Sequence, residues 1–277
     1  MFPENFGEHM AIDETGLING ELYTILLNKK AKGKKGAIAA FIKGTKSKNI
    51  VDAIYKKTKM DDLLKIKEIT LDLANNMEWI AMQIAPQATY TYDRFHVQQL
   101  VSDAVQTIRI KHRWIAQEEE NNNKIADKKN HIPFNRHEFS NGDTQKQLLA
   151  RSRHLLYKPI SKWTDSQKAR AKILFTEFPD IKYAYNLSMY FRNCYENPSL
   201  HSFREWIGKV ISSDLKELKA VAYSIDTHLP GIMAYFINKS TNANIESFNA
   251  KLKLFRQNTR GIKEKNFFIF RILNYFV

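Results

Sequence analysis

Short apolar runs, separated by turns and charged segments, fill the first hundred residues and predict an alternation of strands and helices. Five runs have the length and the β-branched or aromatic content typical of strands. They are His9–Thr15, Glu21–Leu27, Ala37–Ile42, Glu68–Leu71 and Thr89–Tyr92. The segment Gly16–Gly20 (GLING) has the composition of a turn, so the first two strands are expected to form an antiparallel hairpin.

Apolar positions at helical spacing predict three helices in the same region. The predicted ranges are Lys48–Leu64, Asn75–Ile84 and Arg94 to about Trp114. Pro86 ends the second helix, and Asp93 is placed to cap the third. The resulting order, β-β-β-α-β-α-β-α, is that of the ribonuclease-H-like fold. In this α/β fold, helices flank a mixed five-stranded sheet whose first and fourth strands are neighbours.

The remainder of the chain has a different pattern. Residues 117–131 are polar and charged and predict a linker or exposed loop. Helical spacing from about Phe139 to Leu229 predicts an all-α insertion, and Pro230–Gly231 predicts a break before a final basic segment. We therefore predict an α/β core formed by residues 1–114 and 232–277, interrupted by a linker and helical insertion in residues 115–231.

The amino-acid composition indicates that the protein binds a polyanion. The chain has 43 lysine and arginine residues against 29 acidic ones, a net charge of +14, which favours binding to nucleic acid. A merely solvated basic surface is the alternative. Cys194 is the only cysteine, so a disulfide framework and a cysteine zinc site are excluded. No apolar run approaches about 18 residues, and the first ten residues lack the apolar stretch of a signal peptide, so we expect a cytoplasmic protein without a membrane span.

Three acidic residues far apart in sequence form the candidate site. Asp13 and Asp72 each end a predicted strand, and Glu246 lies on a predicted basic helix. Two strand-end aspartates and one helix glutamate can hold a pair of divalent cations, which is the arrangement needed to cut and join phosphodiester bonds. Strand alternation should turn Glu14, the neighbour of Asp13, to the opposite face. A turn-initiating role for Asp13 is the alternative.

The basic helix around Glu246 carries candidate DNA contacts. Asn242, Glu246, Asn249 and Lys253 follow one another at steps of four, three and four, so they share one helix face. The candidate DNA-binding residues are Asn249, Lys253, Arg256 and Arg260. An ordinary solvated helix is the alternative for this segment considered alone.

Three segments resemble the DDE transposases of bacterial insertion sequences, specifically the ISL3 group. They are MAIDETGL, ITLDLANNMEWIAMQIAPQATYTYDRFHVQQL and STNANIESFNAKLKLFRQNTRG, in that order along the chain. The resemblance implies cleavage of DNA at insertion-sequence ends and joining of the 3′-OH ends to target DNA. It also implies a homodimer or larger assembly in the synaptic complex, and two Mg²⁺ ions, for which Mn²⁺ can substitute, held by Asp13, Asp72 and Glu246.

The second acid of this site has a rival in Asp93 of the DRFH motif. We prefer Asp72 because the second acid follows the fourth strand in a ribonuclease-H-like sheet, and we assign Asp93 and His96 auxiliary roles. Members of the family usually have a DNA-binding region before the first aspartate, so we expect a separate or missing DNA-binding polypeptide. Two other functions stay open: a decayed or repurposed transposase that only binds DNA, and a ribonuclease-H-like nuclease or resolvase.

Overall fold

The computed structural model describes residues 1–16, 20–238, 243–258 and 264–277. The chain divides into two compact units. The first, which we call the sheet unit, combines Met1–Val97 with His228–Val277. The second, the helical unit, is Gln98–Thr227. The sequence predicted that the first part of the core ends at residue 114 and that the helical insertion ends at residue 231. The boundaries between the two compact units lie earlier, after Val97 and after Thr227.

The sheet unit contains five strands, β1 (His9–Gly16), β2 (Leu22–Asn28), β3 (Ile38–Lys43), β4 (Glu68–Leu71) and β5 (Thr89–Tyr92). Their order in the sheet is β3-β2-β1-β4-β5. Strand β2 is antiparallel to both β1 and β3, whereas β4 is parallel to β1 and β5 is parallel to β4. The predicted mixed five-stranded sheet and its first hairpin are confirmed, with β1 at the centre beside β4. Residues 17–19 of the hairpin turn lie outside the described residues.

The α-helices of the described residues follow in chain order. They are α1 (Ser47–Lys57), α2 (Met60–Leu64), α3 (Asn75–Ile84), α4 (Arg94–Lys129), α5 (Gln145–Arg151), α6 (Asp165–Glu177), α7 (Pro179–Glu196), α8 (Leu200–Ile211), α9 (Lys216–Thr227), α10 (Leu229–Asn238), α11 (Ala243–Asn258) and α12 (Lys265–Phe276). In the ranges described, no helix combines the length and the apolar character that crossing a bilayer requires.

Two predicted element limits are wrong. The single helix expected over Lys48–Leu64 is two helices, because Thr58 has extended backbone angles (φ −129°, ψ 137°) that its β-branched side chain favours. The linker expected over 117–131 is helical as far as Lys129, since it consists mainly of good helix formers. Glu120 there pairs with Lys124 one turn later and with Lys146 Nζ at 2.9 Å.

One face of the sheet is covered by α11 and α12. Alternate residues of the first three strands pack against aromatic and aliphatic residues of these helices. The buried cluster comprises Ala11, Tyr23, Ile25, Leu27 and Ile38 from the strands with Phe248, Leu252, Phe268, Ile272 and Phe276 from the helices. Each large side chain buried here stabilises the unit by about 1.5–3 kcal/mol. This packing fixes α11 over the strand that carries Asp13.

Helix α10 lies against the edge strand β5, and Gly231 permits the close approach. A Cβ on Gly231 would lie 2.6 Å from Cδ2 of Tyr92 and 3.0 Å from the carbonyl oxygen of Tyr90. The break predicted at Pro230–Gly231 lies slightly earlier, at His228 between α9 and α10, and Pro230 and Gly231 themselves lie in the first turn of a helix. Proline suits this position because the first-turn N–H groups have no helical acceptor.

The helical unit contains α-helices and short 3-10 helices, with no strand anywhere in its fully described range. Capping boxes begin α5 and α6, where Thr144 and Thr164 accept from the backbone three residues later. Asp143, which precedes α5 in sequence, has a completely buried side chain that joins these two helices. It binds Arg151 and, at 2.9 Å, Nε of Arg170.

Candidate active site

Strands β1 and β4 bring Asp13 and Asp72 to the same place in the sheet. Their parallel register pairs Ala11 with Thr70. Asp13 lies two residues beyond Ala11, and Asp72 lies two residues beyond Thr70. Because side chains two apart on a strand share a face, the two carboxylates emerge side by side.

The carboxylate of Asp13 is held by two hydrogen bonds. Oδ1 accepts from the backbone N–H of Glu14 at 2.7 Å, and Oδ2 accepts from Nδ2 of Asn249 at 3.1 Å. Burial raises the pKa of Asp13 above its ordinary range, and the negative charge of Asp72 raises it further, against these hydrogen bonds. The site therefore favours a positive charge between the two carboxylates.

Helix α11 reaches this place because its buried face is anchored by Phe248 and Leu252. The adjacent Asn249 then meets Asp13. Glu246 precedes Asn249 by three residues in the same helix. The backbone of Glu246 is helical, but its side chain lies outside what the structure describes.

Asp93 has a different environment from Asp72. It is buried at the start of α4, where Oδ2 accepts from the backbone N–H of Phe95 at 3.1 Å and of His96 at 3.4 Å. This is the geometry of a helix N-cap. Asp72, in contrast, is partly exposed, and its Oδ1 accepts from the N–H of Ala74 at 3.1 Å.

His96 links Asp93 to the two strand-end carboxylates. Its Nδ1 lies 3.4 Å from Oδ2 of Asp93. The interaction with Asp93 raises the pKa of His96, and the charges of Asp72 and Asp13 raise it further, although burial opposes them. The imidazole therefore carries positive charge beside the carboxylates up to a higher pH than an unperturbed imidazole would.

Glu14 lies on the other face of β1. Its Oε1 accepts from Nδ2 of Asn76 in α3 at 2.7 Å, whereas Asp13 is bonded to α11. Strand alternation thus separates these two neighbouring acids.

Sequence reasoning missed Lys29, which approaches the site from the end of β2. Its Nζ donates to Oγ1 of Thr70 at 2.7 Å, two residues before Asp72. Burial lowers the pKa of Lys29, while the charges of Glu68 and Asp93 act in the opposite direction. The sequence shows Lys29 only as part of a basic loop, so pairing of β1 with β4 was needed to find it.

The predicted DNA-binding residues differ in what the structure describes. Asn249 contacts Asp13, and Lys253 is exposed one turn further along α11. Arg256 lies in the same helix, but its side chain is outside the described part, as is the whole of Arg260. Among neighbouring cations, Lys251 Nζ donates to the carbonyl of Gly33 at 2.8 Å and so ties α11 to the basic loop after β2.

The residues present fit a divalent cation. Within the described ranges no group of three or more His, Cys, Asp or Glu side chains is arranged to hold a metal. The carboxylates of Asp13 and Asp72 nevertheless interact electrostatically, and the buried Oδ1 of Asn249, whose Nδ2 donates to Asp13, has no hydrogen-bond partner among described residues. Hard oxygen atoms of this kind are the ligands that Mg²⁺ prefers.

A comparison with protein families identifies the chain. A family model described as a transposase, of the ISL3-type DDE group, matches residues 10–272. The chain therefore belongs to the ISL3 family of DDE transposases, as the three motifs predict. No curated protein and no solved structure matches it significantly.

Proposed function

We propose that this transposase cuts DNA at the ends of an insertion sequence and joins the freed 3′-OH ends to target DNA, with Asp13, Asp72 and Glu246 as the catalytic acids. The observation that carries the proposal is the hydrogen bond from Asn249 to Asp13. It fixes α11 against β1, and neighbours three apart on a helix share one side, so Glu246 belongs beside Asn249.

The family and the oxygen-rich site support Mg²⁺ as cofactor. Two ions would be held by Asp13, Asp72 and Glu246, and when bound they supply Lewis-acid chemistry that activates water and stabilises a departing 3′-oxygen. The other residues prepare the ligands. Asn249 orients Oδ2 of Asp13, and the N–H of Ala74 orients Oδ1 of Asp72.

His96 is assigned an electrostatic role. A protonated imidazole near Asp13 and Asp72 reduces the repulsion between these carboxylates and an incoming phosphodiester. Asp93 keeps that imidazole in place and caps α4, so we propose Asp93 as a positioning residue rather than a metal ligand.

The test is a strand-cleavage and strand-transfer assay with Mg²⁺ and DNA carrying the inverted repeats that flank the gene. Asp13→Asn, Asp72→Asn and Glu246→Gln should each reduce cleavage by about a hundredfold or more, because each removes a ligand charge worth several kcal/mol. Asp52→Asn, an exposed change on α1, is the matched control.

The same assay separates the competing functions. Retained cleavage in Asp72→Asn together with loss in Asp93→Asn would make Asp93 the second acid. Cleavage of branched DNA without joining would favour a nuclease or resolvase, and DNA binding without cleavage would favour a repurposed binding protein. We also predict that the protein forms a homodimer in the synaptic complex. We predict that a partner polypeptide recognises the ends of the element.

A further inference from the structure

A cavity in the helical unit combines positive charge with an exposed aromatic ring. It has a volume of about 790 Å³ and lies between one face of α4 and the segment that joins α5 to the following turn. This volume is within the range of about 300–1,000 Å³ typical of small-ligand pockets. Every lining residue belongs to the helical unit, and none belongs to the proposed catalytic site.

Three arginines line the cavity, against one aspartate. Arg109 is almost fully buried at 4% exposure, and it donates through Nε to Gln106 and through Nη1 to the carbonyl of Leu149. These bonds engage two of the five N–H donors of a guanidinium. Burial lowers the pKa of Arg109, and the nearby charges of Arg113 and Arg153 lower it further.

This arrangement concentrates positive charge around the cavity. A buried guanidinium carries a desolvation cost, and neighbouring cations add repulsion. Asp103 offsets part of this charge, but its Oδ1 also accepts from the hydroxyl of Tyr157 at 3.2 Å. A phosphate group, which arginine binds in a bidentate fashion, would relieve the repulsion.

The aromatic component is Trp114, a residue that is 70% exposed although it lines the cavity. Trp114 follows Ile110 by one turn on the same helix face. An exposed tryptophan beside arginines is suited to stacking on a nucleobase, a contact that tolerates any base sequence. A paired base offers no free face to such a ring, so the cavity fits a base outside a duplex.

We propose that this cavity binds one unpaired nucleotide of a DNA strand, with the phosphate on Arg109, Arg113 and Arg153 and the base stacked on Trp114. The proposal rests on the proposed function in one respect: the bound strand is assumed to belong to the DNA that the transposase cleaves. A transposase that opens the duplex near a cleaved end creates such a nucleotide, and the cavity would hold it away from re-pairing.

Binding to the full-length protein at fixed salt tests the proposal. The probes are an oligothymidylate of about ten nucleotides, within the site sizes of about 4–16 nucleotides known for single-strand binders, a duplex of the same length, and thymidine monophosphate. Trp114→Ala should weaken binding of the single strand by about five- to a hundredfold and leave duplex binding unchanged. Trp114→Phe should restore much of the affinity, because phenylalanine also stacks.

Two matched controls report on specificity. Trp79→Ala removes an exposed tryptophan of the sheet unit, and Arg204→Ala removes an exposed arginine of α8. Neither should change single-strand affinity, whereas Arg113→Ala should weaken it and reduce its salt dependence. Equal affinities of wild type and Trp114→Ala for the single strand overturn the proposal. So does equally tight binding of the monophosphate, or a preference for an RNA strand of the same length.

Asp13→Asn separates this proposal from the proposed function. That variant should lose cleavage but keep quenching of Trp114 fluorescence by the oligothymidylate. If wild type cleaves no DNA while the Trp114-dependent binding persists, the proposed function is wrong and the cavity proposal holds. If cleavage is normal and Trp114→Ala binds as wild type does, the cavity proposal alone is wrong.

Discussion

Nδ2 of Asn249 donates a 3.1 Å hydrogen bond to Oδ2 of Asp13, across 236 positions of sequence. The bond joins the first strand of the sheet to a helix near the end of the chain. It belongs to a larger contact in which Phe248 and Leu252 of that helix enter the core. The packing that forms the core of the sheet unit therefore also positions Asn249 at the candidate site.

The coupling between the two strand-end carboxylates predicts a measurable change in pKa. Asp72→Asn removes a negative charge that raises the pKa of Asp13, so that pKa should fall toward its ordinary range. Carboxyl NMR titration of the protein in the presence of a chelator measures it. Asp52→Asn, on the surface of α1, should leave the Asp13 titration unaltered. An unchanged Asp13 pKa in Asp72→Asn would mean that the two carboxylates do not interact.

His96 predicts a pH-dependent contribution to stability. Because its pKa in the folded protein is raised above about 6.5, the stabilisation is complete below that pH and disappears as pH rises through the folded pKa. Asp93→Asn should lower the His96 pKa and remove this pH dependence. NMR titration of the imidazole gives the pKa, with the signal of exposed His201 as internal control. The ion-pair explanation fails if the titration is the same in both proteins.

Replacing Gly231 by a residue with a side chain should destabilise the sheet unit. A Cβ there would collide with the ring of Tyr92, so Gly231→Ala should cost about 1–3 kcal/mol of unfolding free energy. Apart from the adjoining residues and the backbone of its own helix, no atom would lie within 4 Å of a Cβ on Gly208 in α8. Gly208→Ala should therefore be neutral or stabilising by up to about 1 kcal/mol. Urea unfolding followed by circular dichroism compares the two, and equal effects would exclude the close-approach argument.

Asp143 predicts acid sensitivity of the helical unit. Its burial acts to raise the pKa, but hydrogen bonds from Arg170 and Arg151 lower it overall. The stabilisation is therefore present above about pH 4 and lost as pH falls through the folded pKa. Asp143→Asn should cost about 1.5–3 kcal/mol at neutral pH.

The difference between wild type and Asp143→Asn should narrow as the pH of urea unfolding is lowered below about 4. Asp165→Asn provides the control, because Asp165 pairs with Lys168 on the surface with its side chain 98% exposed. That change should stay within about 0.5 kcal/mol. A constant difference for Asp143→Asn from neutral to acid pH would contradict the charge argument.

Lys253 predicts a uniform contribution to DNA affinity. It is exposed on α11 one turn beyond Asn249, so Lys253→Ala should weaken binding to all sequences alike and reduce the salt slope by about one unit. Lys56→Ala, at the exposed end of α1, should change neither. Measuring DNA affinity over a series of salt concentrations tests this prediction. If the salt dependence of binding is the same in Lys253→Ala as in the wild type, Lys253 serves only to keep the protein soluble.

The sequence predicted the strands well because each is a short run rich in β-branched, aliphatic or aromatic residues. Glu68–Leu71 and Thr89–Tyr92 have the limits that the sequence predicts. Family motifs then indicated which strands carry the acids. The predicted fold places the strands that precede Asp13 and Asp72 side by side, and the observed pairing of β1 with β4 agrees with it.

Other features depend on contacts that a local pattern does not contain. The polar stretch 117–129 is helical because helix formers and the Glu120–Lys124 pair outweigh its lack of an apolar face. Gly231 resembles a helix breaker until the ring of Tyr92 is seen to occupy the space of its missing side chain. The sequence predicts a DNA contact for Asn249 because it shares a helix face with Glu246 and Lys253. Its hydrogen bond to Asp13, 236 positions away, is not contained in that local pattern.

The division of the sheet unit between the two ends of the chain has a consequence for biosynthesis. The ribosome releases the strands first, and their apolar face stays uncovered until Phe248, Phe268 and Phe276 emerge. At about 5–20 residues per second, the helical unit of Gln98–Thr227 imposes a delay on the order of ten seconds. During that interval the nascent chain needs protection from aggregation. The candidate site is also incomplete during that interval, because Asn249, which donates to the carboxylate of Asp13, has not yet been synthesised.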